Sequence, residues 1–104
     1  MNSPLLDQVA RRHAPTYIGQ TVVGATSTAA VDLSAHKGKI LVFTASVSDV
    51  CVNCAGASVA AATLSMFRIA NGSSEEFLIT DGHTHFRFIA VSASSAIAYA
   101  STGD

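Results

Sequence analysis

The chain has 104 residues, a formal net charge of −1, and a composition that is 49% hydrophobic but only 12% charged. That length holds one domain with a core of its own. Its few Lys and Arg residues form no basic run of the kind that neutralises phosphates, which argues against sequence-independent nucleic-acid binding. No apolar run reaches the roughly 18 residues that a membrane-spanning helix needs, and two cysteines are too few for a disulfide scaffold.

In chain order, residues 1–20 differ from the rest. Ser3 can cap a helix and Pro4 suits its first turn. Asp7 lies toward the positive end of the helix dipole, and Arg11, Arg12 and His13 toward the negative end. Leu5, Leu6 and Val9 share a side, and Pro15 is a stop. The expectation is a short helix over residues 4–13, then an extended Thr16-Tyr17-Ile18 link. A helix this short is marginal alone, so Leu5, Leu6, Val9, Tyr17 and Ile18 form a candidate assembly interface, docking on a neighbouring copy or on the chain's own domain. With Asp7 and no long apolar stretch, this segment is no secretory signal, and synthesis in a cytoplasm is expected.

From residue 21 the pattern is that of strands. Thr21, Val22 and Val23 are β-formers, and Val31 and Leu33 alternate with polar neighbours after a turn-like Gly24–Thr28. Gly38 marks a reversal. Lys39–Ala45 is the strongest strand, and because both its faces are apolar it is expected to be central and buried on both sides. Val50–Cys54 is the next strand, and residues 59–65 read as strand or loop. Met66–Ala70 then leads to the turn Asn71-Gly72-Ser73-Ser74, and three further strands follow, cut by Asp81-Gly82 and by Ser92–Ser95; Asn-Gly and Asp-Gly accept positive φ cheaply and so mark reversals. Phe77 and Ile79, then Phe86, Phe88 and Ala90, then Ile97 and Tyr99 alternate with a period of two, which sets one face of each strand on a core. The sum is an all-β domain over residues 21–104, a β-sandwich or jelly-roll-like barrel of about seven or eight short antiparallel strands, preceded by the helix and arm of residues 1–20.

Few residues offer chemistry. Cys51-Val52-Asn53-Cys54 is a C-x-x-C, but it ends a strand instead of opening a helix. It supplies two ligands where structural zinc wants four; His83 and His85 could in principle complete the set. Cys51 and Cys54 are therefore read as ordinary thiols, with an intermolecular disulfide as the alternative. Asp81-Gly82-His83-Thr84-His85 reads as a polar loop with exposed histidines entering a strand. No G-x-S-x-G elbow and no phosphate-cradling glycine spacing is present. Glu75 and Glu76 are adjacent and face opposite sides of a strand, so they are no acid/base pair. The absence of Trp weakens a carbohydrate-stacking role. No enzyme activity and no cofactor is expected. The weakly charged surface of Ala, Ser, Thr and Val is suited to permanent burial against a partner.

From Thr21 to Asp104 the order of features resembles small β-sandwich virion proteins of tailed bacteriophages, including capsid decoration (cement) proteins. The matching passages are TVVGATSTAAVDLSAHKGKILVFTAS, VCVNCAGASVAAAT and FRIANGSSEEFLITDGHTHFRFIAVSASSAIAYASTGD, with Glu76-Phe77, Thr84-His85 and Gly103-Asp104 fitting best. Cys51 and Cys54 depart from the family pattern, and residues 1–20 lie outside it. No functional residue is carried over, because the family has no catalytic motif. The resemblance implies a virion structural protein, made in the host cytoplasm and placed on the head as a homo-oligomer, often a trimer, against the major capsid protein. A neck or tail component and a glycan-binding sandwich module are the alternatives.

Overall fold

The structure is a computed structural model and describes residues 16–92 and 94–101. The helix expected over residues 4–13, and with it Leu5, Leu6 and Val9, lies outside these residues. Eight strands follow in order: β1 (Thr16–Val23), β2 (Val31–Asp32), β3 (Ile40–Ser46), β4 (Val50–Ala55), β5 (Phe67–Ile69), β6 (Ser74–Leu78), β7 (His85–Ala90) and β8 (Ser95–Ser101). They form two four-stranded sheets, ordered β1-β8-β3-β6 (sheet A) and β2-β7-β4-β5 (sheet B). Every pairing within the sheets is antiparallel. Apart from β4–β5, each connection passes from one sheet to the other, which is the winding of a jelly roll.

The period-two alternation decides what enters the core. Leu41, Phe43 and Ala45 of β3, Ile97 and Tyr99 of β8, and Val23 of β1 point inward from sheet A; Val50 and Val52 of β4, Phe86, Phe88 and Ala90 of β7, and Ile69 of β5 meet them from sheet B. Phe43 is the hub of the aromatic packing. Its ring centroid lies 4.9 Å from that of Phe86, 5.1 Å from Phe77, 5.7 Å from Tyr99 and 6.0 Å from Phe88.

Two expectations are corrected. The boundary expected at residue 20 falls inside β1, because Thr16 through Val23 pair continuously with β8 apart from one bulge. And β3 is central in its sheet but buried on one face only: a two-layer sandwich gives each sheet one inner face, so Val42 is half-buried and Ile40 exposed on the outside.

Gly38 and Gly72 take the positive φ that their contexts predict, +83° and +79°. Asp81-Gly82 closes a small reversal, in which the His83 amide donates to the Thr80 carbonyl at 3.1 Å, but without a positive φ at Gly82.

Candidate functional site

Sheet B carries part of its own chain across its outer face. The coil between β4 and β5 crosses it and buries Val59 and Ala62. The anchors are polar. Asn53 Nδ2 donates to the Ala60 carbonyl (3.0 Å) and Cys51 Sγ lies 3.7 Å from the Leu64 carbonyl. Arg87 Nε donates to the Thr28 carbonyl (2.8 Å) and Nη1 to that of Val59 (3.3 Å), while the Ala62 amide donates to Ser27 Oγ at 2.9 Å. The two coils at residues 24–30 and 56–66 are thus tied to each other and to β4 and β7.

Sheet A has no such cover among the described residues. Its outward side chains, read from the strand registers, form rows: Val22, Ala96 and Ser46; Gln20, Ala98, Thr44 and Ser74; Tyr17, Ala100, Val42 and Glu76; and Ile40 beside Leu78. Val22 is 75% exposed and Leu78 54%, and Tyr17 and Ile40 are also exposed. Glu76 is the one charged side chain in these rows. Large contiguous exposed apolar patches mark contact sites, and Val22, Ile40 and Leu78 are the exposed apolar side chains here.

Of the interface residues expected from sequence, Tyr17 lies on this face. Its neighbour Ile18 does not. The register slips between Tyr17 and Gly19, so Ile18 is the extra residue of a β-bulge and packs against the core. Gly19 lies under the Tyr99 ring, where an added Cβ would stand 3.0 Å from Cε2; Tyr99 completes the contact with a hydrogen bond to Thr21 Oγ1 at 3.0 Å. Exposed Leu64 and Phe67 lie apart from this face, in and beside β5 at the edge of sheet B.

The other sequence candidates do not converge. Cys51 and Cys54 are free thiols three residues apart in β4, which places them on opposite faces. Cys51 is fully buried beneath the covering coil, and Cys54 packs against the core from within. Burial pushes the Cys54 thiol up to about 11, away from nucleophilic or metal-binding use. Among the described residues no group of three or more His, Cys, Asp or Glu side chains is placed to hold a metal ion.

His85 is a correction: it is not an exposed loop residue but the half-buried first residue of β7. Its Nδ1 lies 2.7 Å from Thr84 Oγ1 and its Nε2 3.5 Å from Asp32 Oδ1. The order Thr-His-Asp invites comparison with a catalytic triad, yet Thr84 is buried and its hydroxyl is engaged by the ring of the next residue. Asp32 is held below the usual carboxylate range, first by its hydrogen bonds from Ser34 and only in small part by His85. The cluster ties the short β2 to β7, a structural role.

One feature gave no signal in the sequence. In the three-residue passage from β3 to β4, Val47 has φ +79°, a conformation rare for β-branched residues. Its surroundings hold it there. Asn71 Nδ2 donates to the Val47 carbonyl at 3.1 Å, Ser95 Oγ reaches the carbonyls of Ser46 and Ser48, and Asp49 accepts from the Asn71 amide at 2.8 Å and from Arg68 Nε at 3.1 Å.

No family model matches the chain, and no curated protein does. Among solved structures, the crystal structure of protein NMB1881 from Neisseria meningitidis is similar in outline, with a TM-score of 0.48 and 13% identity over 97% of this chain and 99% of that one. A likeness at that level says nothing about function.

Proposed function

We propose that this chain is a structural protein of a bacteriophage virion, a capsid decoration subunit that acts by binding the major capsid protein and has no catalytic activity. The observation that carries an assembly role is the outer face of sheet A, uncovered among the described residues, with exposed Val22, Ile40 and Leu78 and with Glu76 as the one charge in its rows, on a sandwich whose interior is filled by Phe43, Phe77, Phe86, Phe88 and Tyr99. The virion setting is supported by the sequence resemblance from Thr21 to Asp104. The jelly-roll winding is compatible with it, since that architecture recurs in viral coat proteins, although lectins and cupins share it. The mode of action is mass action: a subunit that binds only the mature lattice favours that lattice.

The test is to purify the particles released by cells carrying the native gene and to locate the chain in them by mass spectrometry and immunogold labelling. Label over the head supports decoration. Label confined to the neck or tail moves the protein to that part of the virion. Absence from every particle refutes the virion role.

A further inference from the structure

We infer that the outer face of sheet A pairs with the same face of a second copy, about a two-fold axis that runs parallel to the strands between β8 and β3. This rests on the reading of that face as the contact surface and names its occupant.

The face is self-complementary about that axis. Its two central strands differ in relief. β8 presents a furrow of Ala96, Ala98 and Ala100, while β3 beside it presents the ridge Ile40, Val42, Thr44 and Ser46. Rotation about an axis between them lays β8 of one copy on β3 of the other, so that Ala100 meets Val42, Ala98 meets Thr44 and Ala96 meets Ser46. Small side chains then face larger ones, as close packing of two sheets requires.

The edges agree with the centre. β1 of one copy lies over β6 of the other. The row Tyr17-Ala100-Val42-Glu76 therefore meets its own reverse, and the Tyr17 hydroxyl reaches the Glu76 carboxylate of the second copy. Gln20 likewise faces Ser74. The one charge in these rows thus finds a hydrogen-bond donor twice, once at each edge. An axis across the strands would instead stack β6 on β6 and set the two Glu76 side chains on the same strand pair.

The area is small. Four strands at about 4.8 Å spacing, each about 20 Å long, span a flat footprint of roughly 380 Å² per copy, about 770 Å² from both together, which is the size of a weak, transient contact and not of a standard specific complex. Covering sheet A in this way also gives both sheets an occupied outer face, sheet B by its own coils and sheet A by a second copy.

The experiment is sedimentation equilibrium or light scattering on the full chain over a concentration series, with three kinds of variant. Wild type should show a weak monomer–dimer equilibrium. Ala98→Arg, which projects outward from a central strand, should keep the circular dichroism spectrum and melting of wild type and weaken dimerisation at least tenfold. Ala57→Arg, on the coil over sheet B, should leave dimerisation unchanged. Register is read by cysteine pairs. Val42→Cys mixed with Ala100→Cys should form an intermolecular disulfide under mild oxidation, well above either variant alone.

A monomer at several hundred micromolar, a stable trimer, or a folded Ala98→Arg protein that dimerises as wild type would each overturn the inference. So would cross-linking of Val42→Cys alone that exceeds the mixture. If wild type is monomeric while Ala98→Arg abolishes incorporation into particles, the face meets another virion protein. The second-copy pairing then fails and the proposed function stands. If wild type dimerises but is absent from every particle, the pairing stands and the proposed function fails.

Discussion

Val47 offers a test in which the sign of a stability change, not merely its size, decides. A left-handed backbone costs an L-residue roughly 1–2 kcal/mol because Cβ crowds the following carbonyl. At an ordinary position Ala→Gly destabilises by about 0.5–1 kcal/mol, since glycine loses more backbone freedom on folding. At φ +79° the steric cost outweighs that entropy. Gly at position 47 is then expected to be more stable than Ala by about 0.5–1 kcal/mol, the difference of the two effects. Val47 itself is 68% exposed, so removing its side chain forfeits little burial, about 0.5–1 kcal/mol of the ~1.5–3 available to a fully buried aliphatic residue. Asn tolerates positive φ without glycine's entropy and should match or exceed Gly.

The assay is urea unfolding followed by far-ultraviolet circular dichroism on Val47→Ala, Val47→Gly and Val47→Asn, with the slope checked for constancy so that midpoints report stability. One kcal/mol corresponds to about 4 °C in melting temperature for a chain of this length. If Val47→Ala proves more stable than Val47→Gly, the passage between the sheets is not in the left-handed region and the reasoning fails.

Other consequences follow from single side chains. Phe43→Ala removes the hub of the aromatic cluster and should cost about 3–5 kcal/mol, a large share of the ~5–15 kcal/mol typical of a domain, visible as a collapsed urea midpoint. Ser95→Ala strips the hydroxyl that reaches the carbonyls of Ser46 and Ser48; leaving them without it should cost about 1–2 kcal/mol, against near-neutral Ser95→Thr if the rotamer is kept. Cys54, with its thiol raised to about 11, should react with iodoacetamide at pH 7.5 at least tenfold more slowly than a free cysteine, because only the thiolate attacks. Asp32 has a lowered folded-state value, so its contribution is present above the unfolded carboxylate value of about 3.9 and is lost as pH falls through the folded value. Asp32→Asn should therefore differ from wild type in midpoint at pH 6 and converge with it toward pH 2; a constant difference across that range would contradict the assignment.

The strands from Lys39 onward were legible because their determinants are local. Phe86 and Phe88, or Ile97 and Tyr99, sit two residues apart and between turn signals, and period-two burial needs nothing more. The Asn71-Gly72 and Asp81-Gly82 reversals belong to the same class. What was not legible depends on distant partners. The two apolar faces of β3 read as burial on both sides, whereas one of them is the outer surface of sheet A; nothing within seven residues distinguishes a core face from an outer one. Ile18 read as part of an arm because its inward turn is made by a bulge set against β8, about eighty positions away in sequence. The coils that cover sheet B are fixed by Ser27, Asn53 and Arg87, whose partnership exists only once the sheets are formed. Val47 gave no signal because valine is the residue least expected at its backbone angle.

The two sheets meet a common difficulty in different ways, and the difference bears on affinity. Each outer face of a sandwich must be polar, covered or paired. Sheet B is covered from within at the cost of ordering two long coils. Sheet A retains Val22, Ile40, Val42 and Leu78 at its surface, and their partial burial against a second copy would return about 1 kcal/mol each. Association must first overcome an estimated 4–15 kcal/mol of lost translational and rotational freedom. Four such side chains on each copy return about 8 kcal/mol together, which leaves little surplus over that cost, so pairing in free solution is weak. On the virion role proposed above, anchoring on a lattice changes this, because neighbouring sites hold subunits at effective concentrations near millimolar when the spacing fits. A weak two-fold contact would then be saturated on a particle and largely absent in dilute solution. It follows that diluting the purified protein should dissociate it, while diluting loaded particles should not release it, and that Ala98→Arg should accelerate release from particles by more than it alters the fold.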